Sequence, residues 1–127
     1  MNDTIADMLA RIQNAIMRKK EEVNVPNTKM NIEILKVLKQ EEMISDFLVN
    51  EGERYVEVVL KYDENESVIA SLKKVSKPGQ RIYVTHNEIK PVMNGRGISI
   101  ISTSSGIMSG AMAKSKKLGG ELICQIW

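Results

Sequence analysis

The first half of the chain switches between helical and strand spacing of its apolar side chains. Apolar residues recur at intervals of three and four over residues 4–19, which predicts an amphipathic helix. The same spacing predicts a second helix, which begins after residue 27 or 28 and ends near residue 41. Alternating apolar and polar residues predict a short strand at 23–25 and a hairpin made by 44–50 and 54–62. The economical packing of these elements is a three-stranded sheet with two helices on one face.

The rest of the chain has mainly strand spacing. The pattern predicts strands at 68–75, 81–84, 98–101 and 121–127, with one short helix at 109–117. The last of these strands has apolar side chains on both faces. We therefore expect it to lie in the middle of a sheet, where both faces are covered.

Residues 63–67 contain no apolar side chain and indicate a linker between the two halves. We therefore expect two modules, residues 1–66 and residues 67–127. The predicted fold class is α+β. An N-terminal α/β module, with two helices on a three-stranded sheet, is expected to pack against a mostly β C-terminal module with one short helix.

Charge is distributed unevenly along the chain, although the net charge of the 127 residues is only +2. Residues 1–66 contain nine Lys or Arg and fourteen Asp or Glu, whereas residues 67–127 contain nine Lys or Arg and only two acids. Such a basic half attracts phosphate groups even when the whole chain is nearly neutral. The alternative is a lysine-rich solvated surface, but solvated surfaces usually mix both signs of charge.

Four hydroxyl side chains in a row follow the predicted strand at 98–101, and a glycine ends the run. They are Ser102, Thr103, Ser104 and Ser105, followed by Gly106. Hydroxyl groups both donate and accept hydrogen bonds, so a cluster of them can bind the edge of an unpaired nucleic-acid base. The alternative is an ordinary turn in which the hydroxyls satisfy the backbone of the chain itself.

The sequence gives little support to catalysis, metal binding or a membrane partner. The one histidine, His86, belongs to no motif that would pair it with a serine nucleophile. The one cysteine, Cys124, is interpreted as a small core residue, and one histidine with one cysteine falls short of a zinc site. No phosphate-binding fingerprint is present, and no uncharged apolar run reaches the ~20 residues that span a bilayer. We expect no enzyme, no cofactor and no small-molecule substrate.

Several segments together carry a family resemblance over almost the whole chain. They are residues 2–12, residues 23–29, residues 75–79 with Arg81 and Tyr83, residues 97–108, and residues 119–121 with Trp127. On these segments the chain resembles the bacterial and organellar family of small-subunit ribosomal protein eight. The resemblance implies a structural constituent of the ribosome that binds the central domain of small-subunit ribosomal RNA early in assembly and contacts neighbouring small-subunit proteins. It also implies that some relatives repress their own operon through a similar RNA in the messenger.

The resemblance and the chemistry of the side chains together predict an RNA-binding site in the basic half. The predicted RNA contacts are Tyr83, Ser102, Thr103, Ser104, Ser105, Gly106, Gly120 and Glu121. The predicted weaker phosphate contacts are Lys29, Lys73, Lys74, Lys77, Arg81 and Arg96. Tyr83 is expected to stack on an exposed base or else to be a core tyrosine. Glu121 is expected to accept from a base amino group or else to pair with Lys116 or Lys117.

The chain departs from the family pattern near the predicted RNA site and at the end of the second helix. Ser105 stands where relatives usually have lysine, and residues 109–114 stand where an Asp-Arg-Glu-Ala-Arg pattern is common. The lost positive charges predict a weaker and less salt-sensitive RNA interaction. Glu42 stands where a glycine usually ends the helix, and a left-handed residue there costs about 1 kcal/mol without glycine. The resemblance implies a location on the ribosome, in the bacterial cytoplasm or in the plastid stroma with an organelle-encoded gene. The competing class is a protein–protein adaptor without RNA specificity.

Overall fold

The computed structural model describes residues 3–127, and their contacts form two compact units, residues 3–70 and residues 71–127. The elements of the first unit are α1 (Thr4–Met17), β1 (Glu22–Pro26), α2 (Lys29–Gln40), β2 (Ile44–Leu48) and β3 (Tyr55–Leu60). The three strands form an antiparallel sheet in the order β1-β3-β2. Every second residue of β3 is buried, as the alternation of apolar residues predicts. The two helices and the three-stranded sheet confirm the prediction for this half.

A small hairpin includes residues 63–67, the segment for which the sequence predicts a linker. The hairpin is made by β4 (Tyr62–Asp63) and β5 (Glu66–Ser67), which are joined by Glu64 and Asn65. Both joining residues have positive φ, at 50° and 68°, which is the conformation of a two-residue hairpin loop whose twist matches that of the strands. The polar composition therefore marks a tight turn within the first unit.

The second unit consists mainly of strands. Its elements are β6 (Leu72–Lys74), β7 (Tyr83–Val84), β8 (Ile98–Thr103), β9 (Gly106–Ser109), α3 (Gly110–Ser115) and β10 (Gly120–Ile126). The sheet has the order β6-β10-β8-β9, and β7 also pairs with β10. β10 lies inside the sheet, as its apolar residues on both faces predict. Mixed helix and strand content in both units confirms the α+β class.

β6 and β7 are shorter than the strands predicted at 68–75 and 81–84. Both strands pair with β10, and each pairs with a different stretch of it. The length of each stretch limits the length of the strand that pairs with it. β6 pairs with residues 124–126, and β7 pairs with residues 120–121. An irregularity between Leu122 and Cys124 in the β10–β8 pairing separates these two stretches. Competition for one partner strand is a tertiary effect that the local pattern does not contain.

One face of the second sheet packs against α3. Ile101 of β8, Met108 of β9 and Ala113 of α3 are buried together, and Leu122 of β10 packs against them. Residues that alternate with these in each strand project from the opposite face of the sheet. That opposite face holds Ser102 of β8 and Glu121 of β10.

Cys124 is fully buried in β10, where it pairs with Lys74 and Ile100. Burial raises the pKa of its thiol to about 12, an effect that the positive charge of Lys74 only partly offsets. The thiol therefore stays protonated at neutral pH, and a protonated buried thiol is neither a nucleophile nor a metal ligand. This confirms the interpretation of Cys124 as a small core residue.

The same hydrogen-bonded motif ends α1, α2 and α3, and in each case the left-handed position lacks glycine. The residues at that position are Lys19, Glu42 and Lys117, with φ of 53°, 60° and 56°. After α2, the N–H of Glu42 bonds to the carbonyl of Lys39, and the N–H of Met43 bonds to the carbonyl of Leu38. This is the Schellman arrangement, which usually has glycine at the left-handed residue. The left-handed conformation expected for Glu42 is confirmed.

Replacing Glu42 by glycine should raise the free energy of unfolding by about 1 kcal/mol, because a side chain at positive φ is strained and a negative charge opposes the dipole at the end of a helix. Urea unfolding followed by circular dichroism measures the change. Glu41→Gly is the matched control, since it removes the same charge at a φ of −84°, where glycine relieves no strain. Equal stability changes in the two variants would contradict the role assigned to the backbone conformation.

Candidate nucleic-acid interface

Three of the predicted contact residues lie side by side across three strands. Glu121 of β10 pairs with Tyr83 of β7 on one side and with Ser102 of β8 on the other. Directly paired residues of antiparallel strands project from the same face of the sheet, with their Cβ atoms ~5 Å apart. We call Tyr83, Glu121 and Ser102 the cross-strand row. The tertiary structure thus brings together residues that are up to 38 positions apart in the chain.

Tyr83 is at the edge of the cross-strand row, and 69% of its surface is exposed. The alternative of a core tyrosine is therefore excluded. An exposed phenol ring on a sheet edge offers a flat face to a partner at little cost in side-chain entropy. Such a ring is suited to stacking on an unpaired base.

The hydroxyl run forms the end of the hairpin made by β8 and β9. Thr103 pairs with Gly106, so Ser104 and Ser105 are the two residues of the loop. Gly106 has a φ of +111°, a conformation that other residues rarely adopt. The predicted serine loop is thus a tight two-residue turn.

Thr103 uses its hydroxyl within this turn. The hydroxyl donates to the carbonyl of Gly106 at 2.8 Å and accepts from the backbone N–H of Ser105 at 3.1 Å. Both hydrogen bonds belong to the chain itself, which is the ordinary-turn alternative for this residue. Thr103 therefore shapes the loop.

The three serines of the run differ from Thr103. Ser104 and Ser105 are exposed and Ser102 is half-buried. Within residues 3–127, the hydroxyls of these three serines make no hydrogen bond to another group of the chain. Three hydroxyl groups are consequently available to a partner beside the cross-strand row.

Two glycines allow the strands to approach closely at this place. A Cβ atom on Gly120 would lie 2.1 Å from the carbonyl oxygen of Ser102, and one on Gly119 would lie 2.5 Å from the carbonyl oxygen of Val84. Real Cβ atoms essentially never come within 3.0 Å of such atoms. Gly120, predicted as an RNA contact, thus has a second role as the spacer that lets β10 lie against β8.

Glu121 is held by two donors, and only 18% of its side chain is exposed. Its Oε2 accepts a hydrogen bond from the hydroxyl of Ser76 and another from Nη1 of Arg81, at 3.1 Å for the latter. Both donors bind the same oxygen, and Oε1 accepts no hydrogen bond from the described residues. The ion pair predicted as the alternative for Glu121 exists, but its partner is Arg81 and not Lys116 or Lys117.

Ser76 is the residue of this site that the sequence did not reveal. It is fully buried, its hydroxyl accepts from the backbone N–H of Ile82 at 3.3 Å, and its own N–H bonds to the carbonyl of Ile123. A serine before a Pro-Gly turn is an ordinary sequence feature. Its partner is 45 residues away, so only the fold shows the contact.

The predicted phosphate contacts are only partly brought together. Lys74, Lys77 and Arg81 surround Ser76: the ammonium group of Lys74 donates to its carbonyl, and Lys77 begins the exposed turn that follows it. Lys73 alternates with Lys74 and projects from the opposite face of β6. Arg96 is exposed beside Gly97, which lies against residues 126 and 127 at the far end of β10 from Glu121. Lys29 is the first residue of α2, in the other unit.

Residues 3–127 contain neither a candidate metal site nor a candidate membrane-spanning helix. No group of three or more His, Cys, Asp or Glu side chains among them is placed to hold a metal ion. No helix among them is long and apolar enough to cross a membrane.

Comparison with known proteins gives a consistent result. The family model described as ribosomal protein S8 matches residues 3–127. The small ribosomal subunit protein uS8 of Nitratidesulfovibrio vulgaris (strain DSM 19637 / Miyazaki F) is 48% identical over 127 residues, which cover 100% of this chain and 99% of the relative. The protein of the same name from Mesoplasma florum is 50% identical, with 98% of each chain covered.

A third relative, the small ribosomal subunit protein uS8 of Vesicomyosocius okutanii, is 46% identical over 129 residues and covers 100% of this chain. The family match extends over both units, and the similarity to these bacterial proteins runs along their whole length. The chain therefore belongs to the ribosomal protein S8 family, a family of small-subunit ribosomal proteins and not of enzymes.

Proposed function

We propose that this structural constituent of the small ribosomal subunit binds ribosomal RNA through the cross-strand row and the adjoining loop serines. The observation that carries the proposal is the row itself, because it places an exposed aromatic ring, a fixed carboxylate and a hydroxyl on neighbouring strands. The protein accordingly works on the ribosome, in the cytoplasm.

The groups of the row suit an irregular RNA better than a regular duplex. Double-helical RNA hides its base edges in a deep, narrow groove, so specific contacts are made where bases are unpaired and turned outward. There, Tyr83 can stack on a base, while Glu121 and Ser102 can bind its edge. The hydroxyls of Ser104 and Ser105 extend the surface beyond the row. We infer that the ligand is an internal loop or a bulge.

The charge of the second unit supports an anionic partner. Glu121 is one of only two acids in residues 67–127, and its charge is paired with Arg81. The exposed Lys77 lies in the turn next to Ser76, where it can contact a phosphate group. Contacts of this kind position the protein without reading the sequence of the RNA.

The finer assignments rest on the family. We propose that the bound RNA is an internal loop in the central domain of small-subunit ribosomal RNA and that binding supports subunit assembly. A messenger RNA that presents the same loop would compete for the same surface, and the protein would then repress its own operon. Neighbouring small-subunit proteins are the proposed protein partners.

Filter binding with two RNAs tests the proposed function. One RNA is a hairpin with the internal loop from the central domain, and the other is a hairpin of equal length with a perfect duplex. Preferential binding of the looped hairpin, at least tenfold at physiological salt, is the expected result. Equal binding of the two hairpins would favour the alternative function, a protein–protein adaptor without RNA specificity, and would overturn the proposal.

Ser104→Ala should weaken binding to the looped hairpin by about 1 kcal/mol or more, because a hydrogen bond to the RNA is lost from an exposed hydroxyl that serves no other group. The melting temperature should change little. Thr103→Ala is the matched control, since its hydroxyl is bonded within the turn and its loss should lower the melting temperature. If Ser104→Ala lowers the melting temperature and leaves RNA affinity intact, the serine is structural.

A further inference from the structure

The carboxylate of Glu121 is oriented by residues outside the cross-strand row. Both protein donors, the Ser76 hydroxyl and the Arg81 guanidinium, bind Oε2. A carboxylate held at one oxygen has its other oxygen in a defined direction. Oε1 is thus the atom of the pair that a ligand can reach.

Ser76 has little freedom to do anything else. Its backbone N–H bonds to Ile123 and its hydroxyl oxygen accepts from Ile82, so the single O–H group has Glu121 as its acceptor. The residue is fully buried, so water does not compete for that proton. Ser76 therefore fixes both the position and the rotation of the Glu121 carboxylate.

Arg81 contributes charge as well as a hydrogen bond. A bare carboxylate facing a phosphate backbone is repelled, and the repulsion would displace the side chain. The guanidinium at 3.1 Å balances this charge, and it remains 46% exposed at the surface. The pair can therefore approach RNA with its charges balanced, and a carboxylate oxygen only accepts hydrogen bonds.

We propose that Ser76 and Arg81 are positioning residues that make Oε1 of Glu121 a selective acceptor for the exocyclic amino group of an unpaired adenine, cytosine or guanine. The proposal rests on the proposed function, since it names what the RNA site selects. An ionised carboxylate cannot donate, so a base edge that presents only acceptors is rejected. Ser76 thereby affects base selection without itself touching the RNA.

The test uses the looped hairpin and a series of its variants, in each of which one base lacks its exocyclic amino group. Each unpaired adenine, guanine or cytosine is replaced in turn by purine, hypoxanthine or 2-pyrimidinone, which lack the amino group. With the wild-type protein, one replacement should lower affinity by about tenfold or more, as expected for a charge-assisted hydrogen bond. With Ser76→Ala, the same replacement should lower affinity by less than about threefold, because the carboxylate is no longer oriented.

A merely structural serine would lower affinity for every RNA and leave the penalty of that one replacement unchanged, and this result would overturn the proposal. Wild-type protein that shows no penalty at any replacement would also overturn it. Failure of the proposed function is a separate outcome, in which the unmodified looped hairpin has no advantage over the duplex.

Arg81→Gln decides the matter independently if Ser76→Ala does not fold. The side chain of Arg81 is half-exposed, so the fold should tolerate the change. The loss of affinity caused by the base replacement should then be less than about threefold, as in Ser76→Ala. Arg54→Gln is the matched control, because it removes the same charge from an exposed side chain of the first unit. It should leave the penalty at about tenfold or more. A full penalty in Arg81→Gln would contradict the role assigned to the ion pair.

Discussion

Replacing Gly120 by alanine is expected to destabilise the second unit by about 3 kcal/mol, because the new methyl group has no space between two paired strands. Its Cβ would lie 2.1 Å from the carbonyl oxygen of Ser102 and 2.9 Å from the carbonyl carbon. Both contacts are with backbone atoms of a central strand, which cannot rotate away as a side chain can. Relief requires β10 to separate from β8 at the cross-strand row.

Urea unfolding followed by circular dichroism measures this loss of stability. Gly79→Ala is the matched control, because a Cβ at Gly79 meets no atom within 4 Å. The control should change the free energy of unfolding by less than about 1 kcal/mol. If the two variants are equally stable, a methyl group fits between β10 and β8 at position 120. The spacer role of Gly120 is then wrong.

Replacing Tyr83 by alanine is expected to weaken binding to the looped hairpin by about 1–3 kcal/mol, the usual range for loss of a stacked base. This corresponds to about a fivefold to 150-fold rise in Kd. Since 69% of the side chain is exposed, the free energy of unfolding should change little. The loss should be seen with the looped hairpin and not with the perfect duplex, which has no base to stack.

Tyr83→Phe separates stacking from hydrogen bonding, because it keeps the ring and removes only the hydroxyl. Filter binding should place this variant near the wild type. If the phenylalanine variant binds as weakly as the alanine variant, the hydroxyl makes the contact and the stacking assignment is wrong. If neither variant differs from the wild type, the RNA does not use this end of the row.

The two variants test different parts of one surface. Gly120 has no group to offer a base beyond its backbone, yet it sets the distance between the strands that carry Glu121 and Ser102. Tyr83 contributes little to the fold and presents its ring to solvent. Gly120→Ala should lower the free energy of unfolding, and Tyr83→Ala should lower RNA affinity at nearly unchanged stability. Each variant is therefore a control for the other.

Much of the fold was predictable because the local patterns are strong. α1 and α2 have long amphipathic stripes, and their predicted starts agree with the structure to within one or two residues. The central position of β10 follows from apolar groups on both of its faces. The short strands β6 and β7 and the hairpin at 62–67 were not predictable in the same way. Their lengths depend on a shared partner strand and on two residues with positive φ.

The site was predictable in its residue types and less so in their roles. Tyr83, Ser102 and Glu121 were each named from the sequence, and the structure places them in one row. The hydroxyl of Thr103 looked equivalent to its neighbours, but the turn uses it. Arg81 was named as a phosphate contact, and the structure pairs it with Glu121.

The α+β class, the basic character of residues 67–127, the hydroxyl run and the family all follow from the order of the amino acids. These properties depend on composition, on spacing within one element and on local motifs. All of these can be recognised in the sequence without knowledge of the fold. Three features of the site come from the folded chain: β7, β10 and β8 meet at one row, Ser76 and Arg81 bind one oxygen of Glu121, and Gly120 allows the strands to approach closely. Each of these depends on distances of a few ångströms between residues 18 to 45 positions apart, which no local pattern specifies.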